Sequence, residues 1–390
     1  MCRVVKYNPI RDSKSPLDNG DFFFSSEANM DNLENARKEI NDIDAQMMDL
    51  FIRRMRTAEH IAEYKKERGL PVYDPAREEQ MFSQHSQMSD KVLEEYYRLF
   101  LKNTIDISKL YQSRLNSGLR VAYSGVEGAY ANIAAKKIFP NSSYVSFTAF
   151  DKAYQAVESG ECDCCVLPIE NSYAGEVGQV IDLLYEGPLY VNGIYSLKIL
   201  HNLIGLKGSI KNDIRKVISH PQALAQCRPY IEDNNLVTIN AASTAAAAVT
   251  VKETNDKTLA AIASEETAAI YDLQILERGV NKSDTNATKF AVLSRVENIP
   301  DNDCKFIMMF TVKQVAGALL KAINVISKYG FNMKALRSRP MKEPAWQYYF
   351  YVEAEGNDKS QLGQIMLQEL SAECDKLKVV GHYGEVVSLN

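Results

Sequence analysis

The sequence predicts three successive domains: an all-α domain, an α/β domain and a smaller α+β domain. Apolar residues recur every three or four positions between 31 and 68, which is the helical period. Beyond Gly118, β-rich runs alternate with helical stretches, as in proteins with parallel sheets. After residue 304 the predicted elements follow the order βαββαβ. A chain of 390 residues is also too long for one ordinary hydrophobic core.

The composition limits the classes of function. Apolar residues make up 46% and charged residues 24% of the chain, the balance of a globular protein. The net charge of −5 argues against a nucleic-acid partner. No apolar run approaches the roughly 20 residues needed to cross a bilayer, and no stretch has the length of a signal-peptide core. We therefore expect no membrane association and a cytoplasmic location.

The cysteines are expected to pack in the core. Their number, seven, is odd, which argues against a disulfide framework in a reducing compartment. Cys162, Cys164 and Cys165 form a cluster that invites comparison with metal sites. The cluster leads directly into the apolar run at 166–168 and has no histidine nearby, so we interpret it as part of a buried strand. We predict neither a metal nor a cofactor.

The N-terminal part begins with an extension and continues as a long helix. Residues 1–29 lack hydrophobic periodicity and are rich in Asp, Ser and Asn, which is typical of a flexible extension. The first helix is predicted over 31–68, with Asp31 as its N-cap and a glycine and a proline beyond its end. Because such a helix is not stable alone, we expect it to pack in a bundle with two further helices.

The helical domain, residues 30–117, carries polar residues at helical spacing. Arg54 and Lys65 are 11 residues apart, about three turns, so both side chains point the same way, roughly 16 Å apart along the axis. Arg37 is rotated about 100° from that face and suits a different surface or a partner subunit. Further polar residues that share helix faces are Asp74, Arg77 and Glu78 on the second helix, and Ser108 and Gln112 on the third.

These positions, in the stretches ENARKEIND, LFIRRM, AEYK, YDPAREE and ISKLYQ, resemble the helical chorismate mutase family over about residues 31–115. The resemblance implies a domain-swapped dimer in which Arg37 enters the site of the partner chain. The catalytic residues that it implies are Arg37, Arg54, Lys65, Asp74, Arg77, Glu78, Ser108 and Gln112.

The implied roles are consistent with the chemistry of chorismate, a dicarboxylate. Arginine forks bind carboxylates at two points, which suits Arg54 and Arg37. The Claisen rearrangement needs a compacted conformer and donors at the ether oxygen, where charge grows in the transition state. The resemblance assigns Lys65 and Gln112 to that oxygen and Glu78 to the ring hydroxyl.

Four short polar clusters mark the α/β domain, residues 118–298. PIENS at 168–172, SHPQ at 219–222 and ASTA at 242–245 follow predicted strands, and NATKF at 286–290 enters another strand. Ligands of parallel α/β sheets bind at the carboxyl ends of strands. Polar side chains and helix N-termini at those ends suit an anion.

With the opening YSGVEGAYANIAA, these clusters resemble the prephenate dehydratase family over about 119–298. The resemblance implies two α/β lobes, as in type-II periplasmic binding proteins, with the active site in the cleft. We expect the chain to cross to the second lobe near Leu197 and to return near Ala268. The implied site has Thr288 as its catalytic residue and Asn171, Ser172, Ser219, His220, Gln222, Ser243, Thr244, Lys289 and Phe290 as substrate-binding residues.

The implied reaction removes the ring hydroxyl and CO2 together, so the departing hydroxyl needs a proton donor. The family places Thr288 at this hydroxyl. A neutral threonine is a poor acid, and we expect it to donate within a network, while His220 mainly shapes the cleft. The family usually has Thr-Arg-Phe where this chain has Lys289 as the middle residue. Lysine keeps the charge but loses the planar fork, so we expect retained activity with an altered carboxylate contact.

The last domain, residues 304–390, has the ferredoxin-like βαββαβ order. Gly317-Ala318-Leu319 and Ser338-Arg339-Pro340 resemble the GAL and ESRP elements of the ACT domain of prephenate dehydratases, with Arg337 in the glutamate position. The resemblance implies that paired domains bind phenylalanine as a feedback inhibitor. A helix that begins with glycine exposes amides suited to an amino-acid carboxylate. A domain that only dimerises is the alternative.

Taken together, the chain resembles the bifunctional chorismate mutase/prephenate dehydratase family with a C-terminal ACT domain. The implied pathway is phenylalanine biosynthesis, from chorismate through prephenate to phenylpyruvate, in a homodimer or a dimer-based oligomer. Two alternatives remain open. One is a ligand-binding regulatory protein with a non-catalytic α/β domain, and the other is arogenate as the second substrate.

Overall fold

The computed structural model describes residues 25–85, 90–281, 285–300, 305–341 and 347–389. Of the predicted extension, residues 1–24 lie outside the described residues. The chain divides into two compact units, Met1–Gln112 and Ser113–Asn390. Among the described residues, no helix is both long and apolar enough to span a membrane.

The first unit is helical, as predicted. Its helices are α1 (Ser25–Glu67), α2 (Pro75–His85) and α3 (Lys91–Ser117), the last of which continues into the second unit. Helix α1 begins before the expected cap Asp31, because the preceding residues, SSEANM, contain no glycine or proline to stop it. Residues 25–29, which we predicted as part of the extension, are therefore helical.

The apolar face predicted for α1 is mostly exposed in the single chain. Of its predicted core positions, Ala58 is buried. The large apolar side chains at the other positions are 43–59% exposed, and they are Leu33, Ile40, Ile43, Met47, Leu50 and Ile61. The predicted helical period is confirmed, because these residues lie on α1. A single chain does not bury the apolar face that this period defines.

The second unit starts with an α/β lobe. Its elements are β1 (Arg120–Ser124), α4 (Tyr130–Ile138), β2 (Ser143–Phe147), α5 (Phe150–Glu158), β3 (Cys164–Asn171), β4 (Gly175–Glu176), α6 (Gly178–Glu186) and β5 (Tyr190–Lys198). Strand β1 pairs in parallel with both β2 and β3. Cys162, Cys164 and Cys165 are buried, which confirms that this cluster packs in the core.

A second lobe follows. Its elements are β6 (Asn202–Gly205), β7 (Lys216–Ser219), α7 (Pro221–Gln226), α8 (Arg228–Asp233), β8 (Val237–Asn240), α9 (Thr244–Thr254), β9 (Leu259–Ala263), α10 (Glu265–Ile270) and β10 (Gln274–Glu277). They form a five-stranded sheet of order β10-β6-β9-β7-β8. The chain crosses into this lobe after Lys198, close to the predicted point.

The predicted return near Ala268 is wrong. Ala268 belongs to α10, and β10 then adds an antiparallel edge strand to the sheet of the second lobe. The chain rejoins the first lobe only at β11 (Ala287–Ser294), which lies antiparallel between β3 and β5. The error arose because β10 is too short to stand out in the sequence pattern.

The remaining elements are β12 (Lys305–Thr311), α11 (Ala318–Lys328), β13 (Asn332–Pro340), β14 (Tyr348–Glu355), α12 (Gln361–Glu373), β15 (Lys376–Tyr383) and β16 (Val387–Ser388). The predicted βαββαβ order is confirmed, with the antiparallel strand order β13-β14-β12-β15. Strand β15 meets β5 at the pair Gly381–Val191, so these strands continue the sheet of the first lobe.

Candidate active sites

Three predicted residues of the helical unit meet between α1 and α3. The Nη1 atom of Arg54 donates to the Oγ of Ser108 at 2.5 Å and to the carbonyl of Thr104 at 3.2 Å. Ser108 and Gln112 are buried one turn apart on α3. Burial lowers the pKa of Arg54. The Oε1 atom of Gln112 is buried without a hydrogen-bond partner among the described residues, so this amide is a candidate to contact a ligand.

Lys65 and Glu78 are held near the junctions of the same helices. The Nζ atom of Lys65 donates to the carbonyl of Val72 at 2.7 Å, across the turn between α1 and α2. Glu78 of α2 is 2.9 Å from the Nζ atom of Lys109 of α3. The hydrogen bonds of Lys109 to Asp106 and Glu78 outweigh its burial and raise its pKa.

The other predicted mutase residues are more exposed. Asp74 accepts a hydrogen bond from the backbone N–H of Arg77 at 3.1 Å, which begins α2. The side chain of Arg77 is exposed and donates to Gln80 at 2.7 Å. Arg37 is exposed on α1 and makes no hydrogen bond or ion pair with the described residues of its own chain. The structure therefore does not bring Arg37 to the other mutase residues within one chain.

A cleft of about 680 Å³ lies between the two α/β lobes. Strand β3 ends in it at Asn171, and Thr288, the second residue of β11, is paired with Asn171 in the sheet. The second lobe contributes the N-terminal ends of α7 and α9. The predicted residues that line the cleft are Asn171, His220, Gln222, Ser243, Thr244 and Thr288.

Asn171 joins the two lobes of the cleft. Its Oδ1 atom accepts from the Nε2 of Gln222 at 3.2 Å and from the backbone N–H groups of Tyr173 and Ala174 at 3.0 Å. Its Nδ2 atom donates to the Oγ1 of Thr288 at 3.0 Å. Because the oxygen of Thr288 accepts this bond, its hydroxyl hydrogen is available to a ligand.

The opposite wall of the cleft is suited to an anion. Ser243 caps α9 by accepting a hydrogen bond from the N–H of Ala246 at 3.0 Å. Helix α9 has 11 residues, and the partial positive charge of its N-terminus lies at the cleft. His220 caps α7 by accepting from the N–H of Gln222 at 3.3 Å, and burial lowers the pKa of His220. Neutral donors and a helix terminus therefore surround this side of the cleft.

Four predicted substrate-binding residues do not line the cleft. Ser219 is fully buried and donates to the carbonyl of Ile262 at 2.6 Å. Phe290 belongs to the core of the first lobe. The hydroxyl of Ser172 donates to the backbone carbonyl of Thr285, just before β11. The fourth residue is Lys289.

Lys289 is part of a charged cluster beside the cleft. Its Nζ atom is 2.8 Å from Oε2 of Glu170, and Nη2 of Arg337 is 2.5 Å from Oε1 of the same carboxylate. The two residues at which this chain departs from the family, Lys289 and Arg337, therefore share one partner. Glu170 immediately precedes Asn171, so the cluster connects β13 to β3, the strand that places Asn171 in the cleft.

Of the predicted effector residues, Gly317 has a φ of 82° and begins α11, where an L side chain would be strained. Ala318 is buried and Leu319 packs against the core of this domain. Ser338 and Pro340 are exposed on β13.

Arg339, between them, points the other way. Its Nη1 atom is 2.6 Å from Glu176, and its Nε atom donates to Asp182 at 3.0 Å and to the Tyr349 hydroxyl at 3.0 Å. Burial would lower the pKa of Arg339, but the hydrogen bonds that it donates to these carboxylates outweigh burial and raise the pKa. Arg339 thus connects β13 to the first lobe.

Sequence reasoning missed several residues of the cleft. Tyr130, His201 and Gln226 line it but were not selected. His201 follows the carboxyl end of β5, where the chain crosses between the lobes. Ligands bind at the carboxyl ends of strands, and β5 ends beside the predicted crossing point at Leu197. The sequence could therefore have indicated His201 as a residue of the cleft. Among the described residues, no group of three or more His, Cys, Asp or Glu side chains is arranged to hold a metal.

The helical unit and the two-lobed domain are both similar to known proteins. Residues 36–113 match the family model of chorismate mutase type II, and residues 121–298 match that of prephenate dehydratase. The bifunctional chorismate mutase/prephenate dehydratase of Aquifex aeolicus is 32% identical over 366 residues, which cover 91% of this chain and 98% of that protein. The chain belongs to the bifunctional chorismate mutase/prephenate dehydratase family. It is therefore both an isomerase and a lyase, with the mutase in the helical unit and the dehydratase in the two-lobed domain.

Two further proteins are similar to about 70% of this chain. The Arabidopsis thaliana protein named arogenate dehydratase/prephenate dehydratase 2 is 36% identical over 295 residues, covering 73% of this chain and 77% of that protein. The solved structure of prephenate dehydratase from Arthrobacter aurescens in complex with L-Phe is 24% identical, with a TM-score of 0.63. It covers 68% of this chain and 90% of that one, and it shows the same fold.

Proposed function

We propose that the residues assembled at these two sites carry out consecutive steps from chorismate to phenylpyruvate, and that phenylalanine bound to the C-terminal domain inhibits the second step. The observation that carries the proposal is the pair Asn171–Thr288, which faces the N-terminus of α9 across the cleft. The proposed domains are an extension at 1–29, a mutase domain at 30–117, a dehydratase domain at 118–298 and an ACT domain at 304–390.

In the mutase site, cations and amide donors act on a dicarboxylate. Arg54 is held by Ser108 and presents its remaining N–H groups to a carboxylate of chorismate. The amide of Gln112 and the ammonium of Lys65 donate to the ether oxygen as its bond to carbon breaks. Glu78 accepts from the ring hydroxyl. No covalent intermediate is needed, because the rearrangement is intramolecular.

The second carboxylate requires an arginine from another chain. Arg37 and Arg54 lie on the same continuous helix, 17 residues apart, which corresponds to roughly 25 Å along its axis. A single chorismate molecule cannot contact both side chains of one chain at that distance. A second copy of the chain would supply Arg37 and would also cover the exposed apolar face of α1. We therefore propose a homodimer in which α1 is the main contact.

Mixing two inactive variants tests this arrangement. Arg37→Ala and Arg54→Ala chains are unfolded together and refolded as a mixture. If the site is shared, half of the dimers are mixed and each has one intact site, so about a quarter of the wild-type mutase activity returns. If both arginines act within one chain, mixing restores nothing. Each variant refolded alone is the control.

In the dehydratase site, one carboxylate leaves as CO2 and its bonding electrons make the ring aromatic. The bond between the ring carbon and its hydroxyl breaks at the same time. Thr288 donates a hydrogen bond to that hydroxyl while its own oxygen accepts from Asn171. The side-chain carboxylate of prephenate binds at the N-terminus of α9, beside Ser243 and Thr244.

A coupled assay tests both steps and the inhibitor. Purified protein receives chorismate, and phenylpyruvate is followed with and without phenylalanine. Thr288→Val should leave prephenate to accumulate, with a loss of about 10²-fold or more in the dehydratase kcat. Thr288→Ser keeps the hydroxyl and should retain most of the activity. Equal rates for wild type and Thr288→Val would remove Thr288 from the mechanism.

The proposed effector site lies at Gly317 and Ser338–Pro340 in the C-terminal domain. The glycine start of α11 supports the binding of an amino-acid carboxylate, and the L-Phe complex of the Arthrobacter aurescens protein makes phenylalanine the probe to use. Calorimetry with phenylalanine and with tyrosine tests the choice. No binding of phenylalanine at millimolar concentration would refute this part of the proposal.

Arogenate is a second candidate for the dehydratase substrate, because the Arabidopsis relative is named for both activities. Arogenate carries an amino group where prephenate carries a keto group. The cleft residues that face the ligand, including His220 and Thr244, are neutral, which gives no counter-charge for an ammonium group. We therefore propose prephenate, and the ratio of kcat/KM for the two substrates measures the preference.

A further inference from the structure

A chain of polar side chains begins where the two lobes join. His201 lies three residues after β5 and is 3% exposed. Its Nδ1 atom is 3.2 Å from the hydroxyl of Tyr130, and its Nε2 atom is 2.9 Å from Oε1 of Gln226. The Tyr130 hydroxyl is also 2.9 Å from the carbonyl of Leu200. These contacts occupy both ring nitrogens of His201.

The chain continues to the catalytic threonine through two asparagines. The Nδ2 atom of Asn286 donates to the same Oε1 of Gln226 at 2.9 Å. The Nδ2 atom of Asn171 donates to Oδ1 of Asn286 at 3.1 Å and to the Oγ1 of Thr288 at 3.0 Å. Asn286 is 3% exposed, so its amide depends on these partners rather than on bulk water.

Two backbone groups set the direction of the bonds at the Asn171 end. The N–H groups of Tyr173 and Ala174 both donate to Oδ1 of Asn171, which fixes this oxygen as the acceptor. The amide nitrogen of Asn171 must therefore point to Asn286 and Thr288 and donate to both. Asn286 consequently presents its oxygen to Asn171.

The same logic fixes the tautomer of the histidine. Since Asn286 uses its oxygen toward Asn171, its nitrogen donates to Oε1 of Gln226. That oxygen faces Nε2 of His201, so Nε2 must carry the hydrogen. Burial lowers the pKa of His201 to about 4, so at neutral pH the ring has one N–H only. Nδ1 then carries no hydrogen and accepts, so the single hydroxyl hydrogen of Tyr130 is shared between Nδ1 and the carbonyl of Leu200.

We propose that His201 is a positioning residue for the dehydration step and acts on Thr288 through the amides between them. Its Nε2–H holds Oε1 of Gln226 in place. Without this donor the amide of Gln226 is free to turn its nitrogen toward that of Asn286. The resulting repulsion between N–H groups displaces Asn286, which shares the Nδ2 atom of Asn171 with Thr288, and so disturbs the geometry of the bond that leaves the Thr288 hydrogen free for the substrate.

The proposal rests on the role of Thr288 proposed above, and the test distinguishes a failure of the role of His201 from a failure of the role of Thr288. His201→Leu should lower the dehydratase kcat with prephenate by at least about thirtyfold, while KM changes less than about threefold. His201→Gln restores an N–H donor toward Gln226 and should recover activity to within about fivefold of wild type. Mutase activity of the same samples, which comes from the other unit, reports the protein concentration, and near-UV circular dichroism reports the folding of the mutated domain.

A double-mutant cycle with Thr288→Val gives the deciding measurement. If His201 acts through Thr288, His201→Leu has little further effect in the Thr288→Val background. Equal losses in both backgrounds, an unchanged kcat for His201→Leu, or an equal loss for His201→Gln would overturn the proposal. Full activity of Thr288→Val alone would instead remove the role of Thr288.

Tyr130→Phe provides a milder variant if His201→Leu does not fold. It removes the hydroxyl that occupies Nδ1 but keeps the aromatic ring in place. The tautomer of His201 is then less well defined, and kcat should fall several-fold with little change in KM. A kcat equal to that of wild type would count against the proposal.

Discussion

Lys65 is the residue on which the proposed mutase mechanism depends most directly. Lys65→Ala should lower the mutase kcat/KM by about 10²–10³-fold, or about 3–4 kcal/mol, because a donor to the developing charge is lost. Steady-state kinetics with chorismate measure the loss. Lys66→Ala, which changes an exposed neighbour, should remain close to wild type. Mutase activity of Lys65→Ala within tenfold of wild type would exclude the assigned role.

Lys289 departs from the family residue, and the structure supplies a reason. Its partner Glu170 already binds the guanidinium of Arg337, so a second guanidinium at position 289 would compete for the same carboxylate. We expect Lys289→Arg to lower the dehydratase kcat/KM by up to about tenfold, roughly 1.4 kcal/mol. The double variant Lys289→Arg/Arg337→Glu should recover part of this loss. Independent effects of the two changes would show that the residues are not coupled.

His201 also makes stability depend on pH. Its pKa in the folded protein, about 4, lies below the ordinary 6.5, so the unfolded state binds more protons between these values. Stability contributed by the neutral ring is complete above about pH 6.5 and falls as the pH drops toward 4. From pH 7 to pH 5 the wild type should lose about 2 kcal/mol more than His201→Gln. Urea unfolding at both pH values measures the difference, and equal losses would contradict the prediction.

At the scale of elements, the pairing of β15 with β5 depends on one glycine. Gly381 has a φ of 145°, and a Cβ there would collide with the backbone of Val191. Gly381→Ala should therefore lower the stability by about 1–3 kcal/mol and loosen the pairing of β15 with β5. Gly384→Ala is the matched control, since nothing lies near its Cβ position. Thermal unfolding of both variants provides the test, and equal midpoints would refute it.

The elements themselves could be predicted because their signals are local. The helical period of 31–68, the buried runs of β1, β3 and β7 and the βαββαβ order each depend on residues that are near in sequence. The return of the chain between lobes was misjudged, because β10 has only four residues and its place at a sheet edge is set by β6. The exposure of the apolar face of α1 in a single chain does not follow from its helical period, since the burial of that face needs a surface that one chain does not provide.

At the scale of the whole molecule, β13 connects the proposed effector site to the dehydratase cleft. Arg337 and Arg339 alternate with the exposed Ser338 and Pro340, and both arginines bind carboxylates of the first lobe. Glu170, the partner of Arg337, is adjacent to Asn171. A shift of β13 on binding of the effector would therefore reach the residue that holds Thr288.

Arg337→Gln tests this connection. The concentration of phenylalanine that halves the dehydratase rate should rise about tenfold or more, while the uninhibited rate changes less than about threefold. Lys334→Gln is the control, because Lys334 lies on the same strand as Arg337 and the change removes only an exposed ion pair with Glu355 of β14. Unchanged inhibition of Arg337→Gln, with wild type still inhibited, would exclude this route.

The three domain types, the helical positions of the proposed mutase residues and the strand-end clusters around Asn171 and Thr288 could all be predicted from the sequence. These follow from periodicity and motifs, which are properties of neighbouring residues. Only the tertiary structure decided that Glu170 joins Lys289 to Arg337, that Ser219 and Phe290 lie outside the cleft, and that His201 belongs to the network of Thr288. Asn171 and Thr288 are 117 residues apart and yet bonded, and such pairings depend on packing between distant segments that no local pattern encodes.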